Sequence, residues 1–281
     1  MTARAVVPRS VGITALLVAM AAWAGFALST RAIGTSHLSV PEVCAVRYLT
    51  PTVLLAPWWP RAWREVRAAD PLACALIAAG GGAPFFVLTA LGAKLSSAGH
   101  ISIVNLGAAP VLLGLFARDP ARLLRPGLAV ITVGIALLAI GTPGGGAGVA
   151  VLLLSATLWT LYTTAQARVS LSPLTVVLLM SAPSTVLSAP ALIGLDAPGG
   201  EIALFVAAQG IGSGIVSAVA YAVAIRVLGV PATTLASALT PVLVAVLSAL
   251  LFGEVLTVIA CAGLVLVSTG VAVQGLGRAP A

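Results

Sequence analysis

The sequence predicts an all-α polytopic membrane protein: ten transmembrane helices, built as two inverted five-helix repeats. Three observations carry this: too little polar surface for water, apolar runs of membrane-spanning length, and motifs that recur halfway along the chain. Of the 281 residues, 60% are hydrophobic and 7% charged, against about 25% charged in soluble domains. At a mean hydropathy of +1.16, the surplus apolar surface has to face lipid. The runs are continuous, as in Val11–Phe26 and Leu239–Phe252. Barrel strands alternate instead, so these spans are helices.

Taken in order, the apolar windows between Gly, Pro and Arg give spans near 11–31, 39–58, 71–92, 97–116, 123–141, 147–167, 173–193, 202–225, 232–252 and 255–275. Every loop is then short, and no soluble domain fits. With the N-terminus inside, eleven of the 14 basic residues, from Arg4 to Arg278, fall on the cytoplasmic side. Only Arg31 and Lys94 fall outside, and Arg47 lies within a span. This bias predicts a multi-pass protein of the cell (inner or plasma) membrane with both termini cytoplasmic. It also explains the net charge of +7 and the pI near 10.4. The basic residues are dispersed and form no patch for nucleic acid, so the lipid bilayer is the expected macroscopic partner. Cys44, Cys74 and Cys261 lie in apolar stretches without C-x-x-C spacing; no metal, disulfide or cofactor is expected. Residues 1–24 have the outline of a cleaved signal peptide, but their counterpart later in the chain argues that they belong to the fold.

That counterpart defines the repeat. Span one carries Trp23-Ala24-Gly25-Phe26 and span six Trp159-Thr160-Leu161-Tyr162, each followed by a basic residue, Arg31 or Arg168. Span two opens Leu38-Ser39-Val40-Pro41, with Pro51 and Pro57 beyond; span seven opens Leu171-Ser172-Pro173, with Pro183 and Pro190. Spans four and nine each place a proline, Pro110 and Pro241, where mid-helix is expected. Five helices followed by five similar ones force the second copy to enter from the opposite side. The copies divide the chain into 1–143 and 144–281. Inverted repeats of this kind typify secondary transporters.

These motifs, with the Ser39–Tyr48 stretch, the Arg226–Pro241 stretch and Leu251-Phe252-Gly253-Glu254, resemble the drug/metabolite transporter (DMT) superfamily in its ten-helix EamA-type branch. The likeness covers nearly the whole chain. It implies a non-enzymatic transporter of small organic metabolites, an exporter by the family's usual role, with amino acids and nucleosides among the substrates. The family's Gly-Glu step after the fourth helix is replaced here by Phe116-Ala117-Arg118-Asp119-Pro120.

The candidate substrate-binding residues are Trp23, Phe26, His100, Asn105, Trp159, Tyr162 and Tyr221. Membrane tryptophans usually sit in interfacial belts. Trp23 and Trp159 instead lie a dozen residues into their helices, about 18 Å along at 1.5 Å per residue. There, paired by the repeat, they suit a midplane pocket, with Phe26 and Tyr162 one turn on; the alternative is helix packing. His100 and Asn105 are polar groups within a span and should face protein or water. A histidine can also exchange a proton near neutrality, which would permit proton coupling. Structural or gating roles are expected for Arg47, Pro110, Pro241 and Glu254. Arg47 could pair with an acid, attract a substrate anion or snorkel, and the structural partnership is favoured. Glu254 could cap the last helix. The Gly210/Gly214 and Gly141/Gly145 spacings suit close helix packing. An intramembrane enzyme would need a cluster of catalytic groups that two distant histidines do not supply, and a receptor or scaffold would not need an inverted repeat.

Overall fold

The computed structural model describes residues 7–95, 101, 104–105, 108–116, 126–141, 146–237, 239–252 and 257–276. Every regular element among them is helical. The first half holds α1 (Arg9–Ala32), α2 (Val40–Leu54), α3 (Trp59–Arg67), α4 (Pro71–Gly81), α5 (Ala83–Leu95), α6 (Ala109–Phe116) and α7 (Pro126–Gly141). The second holds α8 (Gly146–Arg168), α9 (Pro173–Ser188), α10 (Gly199–Phe205) and a π-helical segment (Val206–Val216). It continues with α11 (Ser217–Leu228), α12 (Val230–Ser237), α13 (Thr240–Phe252) and α14 (Val258–Leu276). Among the described residues, five segments are long and apolar enough to cross a membrane: Arg9–Thr35, Pro71–Leu95, Ala147–Arg168, Pro173–Leu192 and Gly199–Leu228.

Local chemistry sets the helix ends. Asp70 accepts from the Leu72 and Ala73 N–H groups, both at 3.2 Å, and Pro71 opens α4. An N-terminal carboxylate and a first-turn proline suit orphan helical donors. Extended backbone at Gly82 breaks the third span into α4 and α5. The N–H of Ala83 that this break frees donates to the Ser184 hydroxyl of α9 at 2.8 Å. Gly229, at φ +79°, ends α11, a conformation that favours glycine.

Two sequence expectations need correcting. Pro110 and Pro241 are not mid-helix: each is the second residue of its helix, α6 or α13. Proline lacks the N–H that a helix interior needs but a first turn does not, so α12 ends at Ser237 and α13 starts afresh. The other proline pairs fall as matched sets. Pro51 and Pro183 stand inside α2 and α9, and Pro57 and Pro190 in the 3-10 turns after them. The second correction adds α3, which lies between the spans read near 39–58 and 71–92 and belongs to neither. It carries exposed Trp59 and Trp63, with Arg61 over Trp58 and Arg67 over Trp63 at 4.7 and 4.6 Å. Nine residues are too few to span, but tryptophans flanked by arginines suit a membrane–water interface.

The halves interlock. α1 lies against α11, α8 against α4 and α5, α2 against α9, and α7 against α14. The α7–α14 pair is antiparallel and close. A Cβ at Gly134 would fall 2.8 Å from the Gly263 carbonyl, and one at Gly270 2.7 Å from the Gly127 carbonyl. Glycine alone permits that approach. α2 and α9 also run opposite ways: the Trp58 indole donates to the Ser172 hydroxyl at 3.4 Å, and the Thr52 and Thr185 hydroxyls meet at 3.0 Å.

Two carboxylates tie the halves beyond the two ends of α9. Glu65 of α3 accepts from the Ser172 N–H at 2.7 Å and from Arg61 at 2.9 Å. Burial pushes the Glu65 carboxyl up, but these bonds and those from Thr175 and the Ser172 hydroxyl outweigh it, holding it at about 2. Glu201 of α10 accepts from the Ser36 hydroxyl at 2.7 Å and the His37 N–H at 3.0 Å, and its other oxygen lies 2.8 Å from His37 Nδ1.

Candidate solute site

α1 and α8 bring their tryptophans together. Trp23 and Trp159 meet edge to face, ring centroids 5.5 Å apart at 85°. Tyr221 of α11 packs on both, at 4.9 Å from Trp23 and 5.4 Å from Trp159, and its hydroxyl lies 3.1 Å from that of Thr163. Phe85 and Tyr162 also pack on Trp159, at 5.3 and 4.9 Å. Such offset and edge contacts suit the ring quadrupoles.

One cavity lies beside this cluster. Of the sequence-derived candidates, Trp23, Phe26, Asn105, Trp159, Tyr162 and Arg47 line it. Tyr221 does not; it is buried against both tryptophans. His100 and Glu254 lie outside the described residues, as does Gly145. Among the described residues no cluster of His, Cys, Asp or Glu could hold a metal ion. The cavity volume is about 50 Å³, room for a few waters. A larger solute therefore requires its walls to part.

Three lining residues each keep a buried polar atom without a hydrogen-bond partner: Arg47 Nε, Asn105 Oδ1 and Trp159 Nε1. Buried polar atoms are normally paired, and leaving them unpaired costs about 1–3 kcal/mol each. Two donors and an acceptor without partners thus belong to residues of one cavity wall. Asn105 is oriented by its amide nitrogen, which donates to Thr89 Oγ1 at 3.1 Å; Thr89 in turn pairs with Ser155 at 2.7 Å.

Arg47 is held by neutral groups. Its Nη1 donates to Gln209 Oε1 at 2.7 Å and Ser213 Oγ at 2.9 Å. Gln209 is fixed in turn by donating to the Ser29 and Thr30 hydroxyls at 2.8 and 3.1 Å. The Phe26, Tyr48 and Phe86 rings lie 4.8, 5.5 and 5.7 Å from the guanidinium carbon. The π segment supplies both side-chain acceptors and packs tightly on α2: a Cβ at Gly210 would fall 2.6 Å from Thr50. Gly214 faces the Arg47 carbonyl, so both glycines of this small-residue spacing sit against α2. The acid partner expected for Arg47 is not found: among the described residues, no carboxylate forms an ion pair with it.

The sequence reading missed Gln209, Ser213, Thr89, Ser155 and Phe85. A signal existed for Gln209. It is an amide within an apolar span, the same anomaly that marked Asn105.

A crystal structure of another protein superposes on 96% of this chain and 98% of its own, with a TM-score of 0.68 at 22% identity. That likeness establishes a shared fold. The curated proteins compared gave no match. Residues 146–275 match the EamA-like transporter family. They form an EamA-like transporter domain. The family belongs to the drug/metabolite transporter superfamily; this match and the five apolar segments of membrane-spanning length both point to a multi-pass membrane protein. The EamA-like domain contributes Trp159, Tyr162, Ser181 and Ser213 to the cavity, and the preceding half contributes Trp23, Phe26, Arg47 and Asn105.

Proposed function

We propose that this chain is a secondary transporter of the cell membrane that exports small organic metabolites, amino acids among them, by alternating access. One observation carries the reading: a cavity is built jointly by both halves, from matched aromatics, and three residues of its wall each keep a polar atom without a hydrogen-bond partner. A site shared between two halves is accessible from alternate sides when the halves rock about it.

The ten-helix layout, as inverted five-helix repeats over 1–143 and 144–281, belongs to the same proposal. Exchanging the halves turns the α1–α11 contact into that of α8 with α4 and α5, and returns α2–α9 and α7–α14 to themselves. The reciprocal glycines and the antiparallel α2–α9 pair support the inversion. Cytoplasmic termini rest on the basic bias of the loops. Export and the amino-acid class rest on the family likeness, and proton coupling would run through His100. The test is uptake of a radiolabelled solute panel, covering amino acids, organic acids, amines and nucleosides, into proteoliposomes of the full chain. Saturable uptake of any member, absent from protein-free liposomes, is the expected result. Uniform failure across the panel in both orientations would count against transport.

A further inference from the structure

We propose that the transported solute is an organic monocarboxylate whose anionic group is received by Arg47, and that a solute amine is not required. The inference rests on the reading of the cavity as a transport site and goes on to name what the site selects.

Arg47 is only 7% exposed and lines the cavity. Its guanidinium is a delocalised cation with a planar fork of donors. Gln209 and Ser213 satisfy one Nη group and three aromatic rings approach the guanidinium, yet none of these carries a negative charge. Nε stays without a partner. No Asp or Glu is among the described residues lining the cavity. A buried cation whose described neighbours are dipoles and rings attracts an anion strongly, because apolar walls screen little.

The donor set limits which anion fits. Among the described lining residues, Arg47 is the one cationic side chain, and Trp159 Nε1 is the other donor without a hydrogen-bond partner. One planar guanidinium suits a planar carboxylate; a phosphate dianion would ask for more charge and more donors than this wall offers. The remaining surface, with Phe85, Trp159 and Met180, suits an apolar or aromatic body. Asn105 Oδ1 can accept one hydrogen bond from a hydroxyl, an amide or an ammonium. One neutral acceptor gives an amine no counter-charge, so the amine is optional and the carboxylate is not.

The test uses purified full-length protein in detergent, with thermal shift and intrinsic tryptophan fluorescence as readouts. The probes are 3-phenylpropionate, L-phenylalanine and 2-phenylethylamine, which differ only in which charged group the same body carries. In the wild type both carboxylates should bind, and the amine at least about tenfold more weakly. Arg47→Gln should weaken both carboxylates by about tenfold or more while the ligand-free melting temperature stays level or rises, since an uncompensated buried charge has gone. Arg47→Lys should retain part of the affinity. Binding of the amine as tight as that of the acids, carboxylate binding undiminished in Arg47→Gln, or binding of neither carboxylate would each overturn the assignment. The acid–amine comparison needs no variant, so a misfolded Arg47→Gln leaves it decisive. Transport of a cationic or uncharged solute would overturn the carboxylate assignment and leave the transporter reading standing. A carboxylate that binds through Arg47 without ever being moved would do the reverse.

Discussion

At the scale of the residue, two indoles and one guanidinium give the cavity wall its chemistry. Trp23 and Trp159 stood out because indoles rarely sit deep within a span, and the structure brings them edge to face at 5.5 Å beside the cavity. Arg47 stood out as the one basic residue inside a span, but its neighbours could not be read. They come from residues 162 and 166 positions later in the chain, and pairing across that separation is a property of the packing. Trp159 Nε1 makes no hydrogen bond of good geometry, although it interacts with the neighbouring Tyr221 side chain, so a variant without that donor separates binding from packing. Trp159→Phe retains a ring but removes that donor. It should leave the melting temperature within a few degrees of wild type while weakening solute binding by about tenfold, roughly one charge-assisted hydrogen bond. Binding titrations beside melting curves check this; unchanged binding would return Trp159 to the core.

At the scale of the element, the spans were legible because apolar length suffices to find them. The breaks were not. At Gly82 the freed Ala83 N–H is taken up by Ser184, 101 residues later in the chain, a partner that an apolar window does not reveal. α3 escaped notice because it is amphipathic, and a search for long apolar windows passes over it. Its Glu65 gives a pH-dependent test. The folded carboxyl, held at about 2, lies below its ordinary value near 4.5. Its contribution is therefore complete above the ordinary value and is lost as pH falls from there toward 2. Glu65→Gln should lower stability at pH 7 by about 1 kcal/mol. Melting of the two proteins in detergent should converge progressively between about pH 4.5 and 2; a gap independent of pH would remove the carboxylate from the tie. The α7–α14 contact offers a second element-scale test. Gly270→Val inserts atoms where even a Cβ meets the Gly127 carbonyl at 2.7 Å. Such overpacking should cost about 1–3 kcal/mol, and Gly134→Val the same, read as a fall in melting temperature.

At the scale of the whole molecule, the proposed inversion could be read from motif order, but not how the halves are fastened. The Glu65 tie sits where α9 begins, and the Glu201 tie beyond the end of its 3-10 extension at Leu192, so the two stand at opposite ends of the bundle. Both ties are made in this structure, around a cavity with room for only a few waters. Rocking requires that one end part while the other stays fastened, so breaking one tie should bias the population toward opening at that end. By the basic bias, Glu65 faces the cytoplasm and Glu201 the outside. A reporter is available in the cavity wall: Ser181→Cys, in a background where Cys44, Cys74 and Cys261 are replaced. In right-side-out vesicles, a membrane-impermeant thiol reagent should label this cysteine about two- to fivefold faster when Glu201→Gln is added. Glu65→Gln should slow the same labelling, because it favours the opposite opening. His37→Ala removes one partner of Glu201 while leaving the His37 backbone N–H and the Ser36 hydroxyl in place, so it should fall between wild type and Glu201→Gln. Acceleration by both carboxylate variants would mean that the ties stabilise the fold without governing access. Acceleration by Glu65→Gln alone would place Glu65 outside and reverse the orientation read from the arginines.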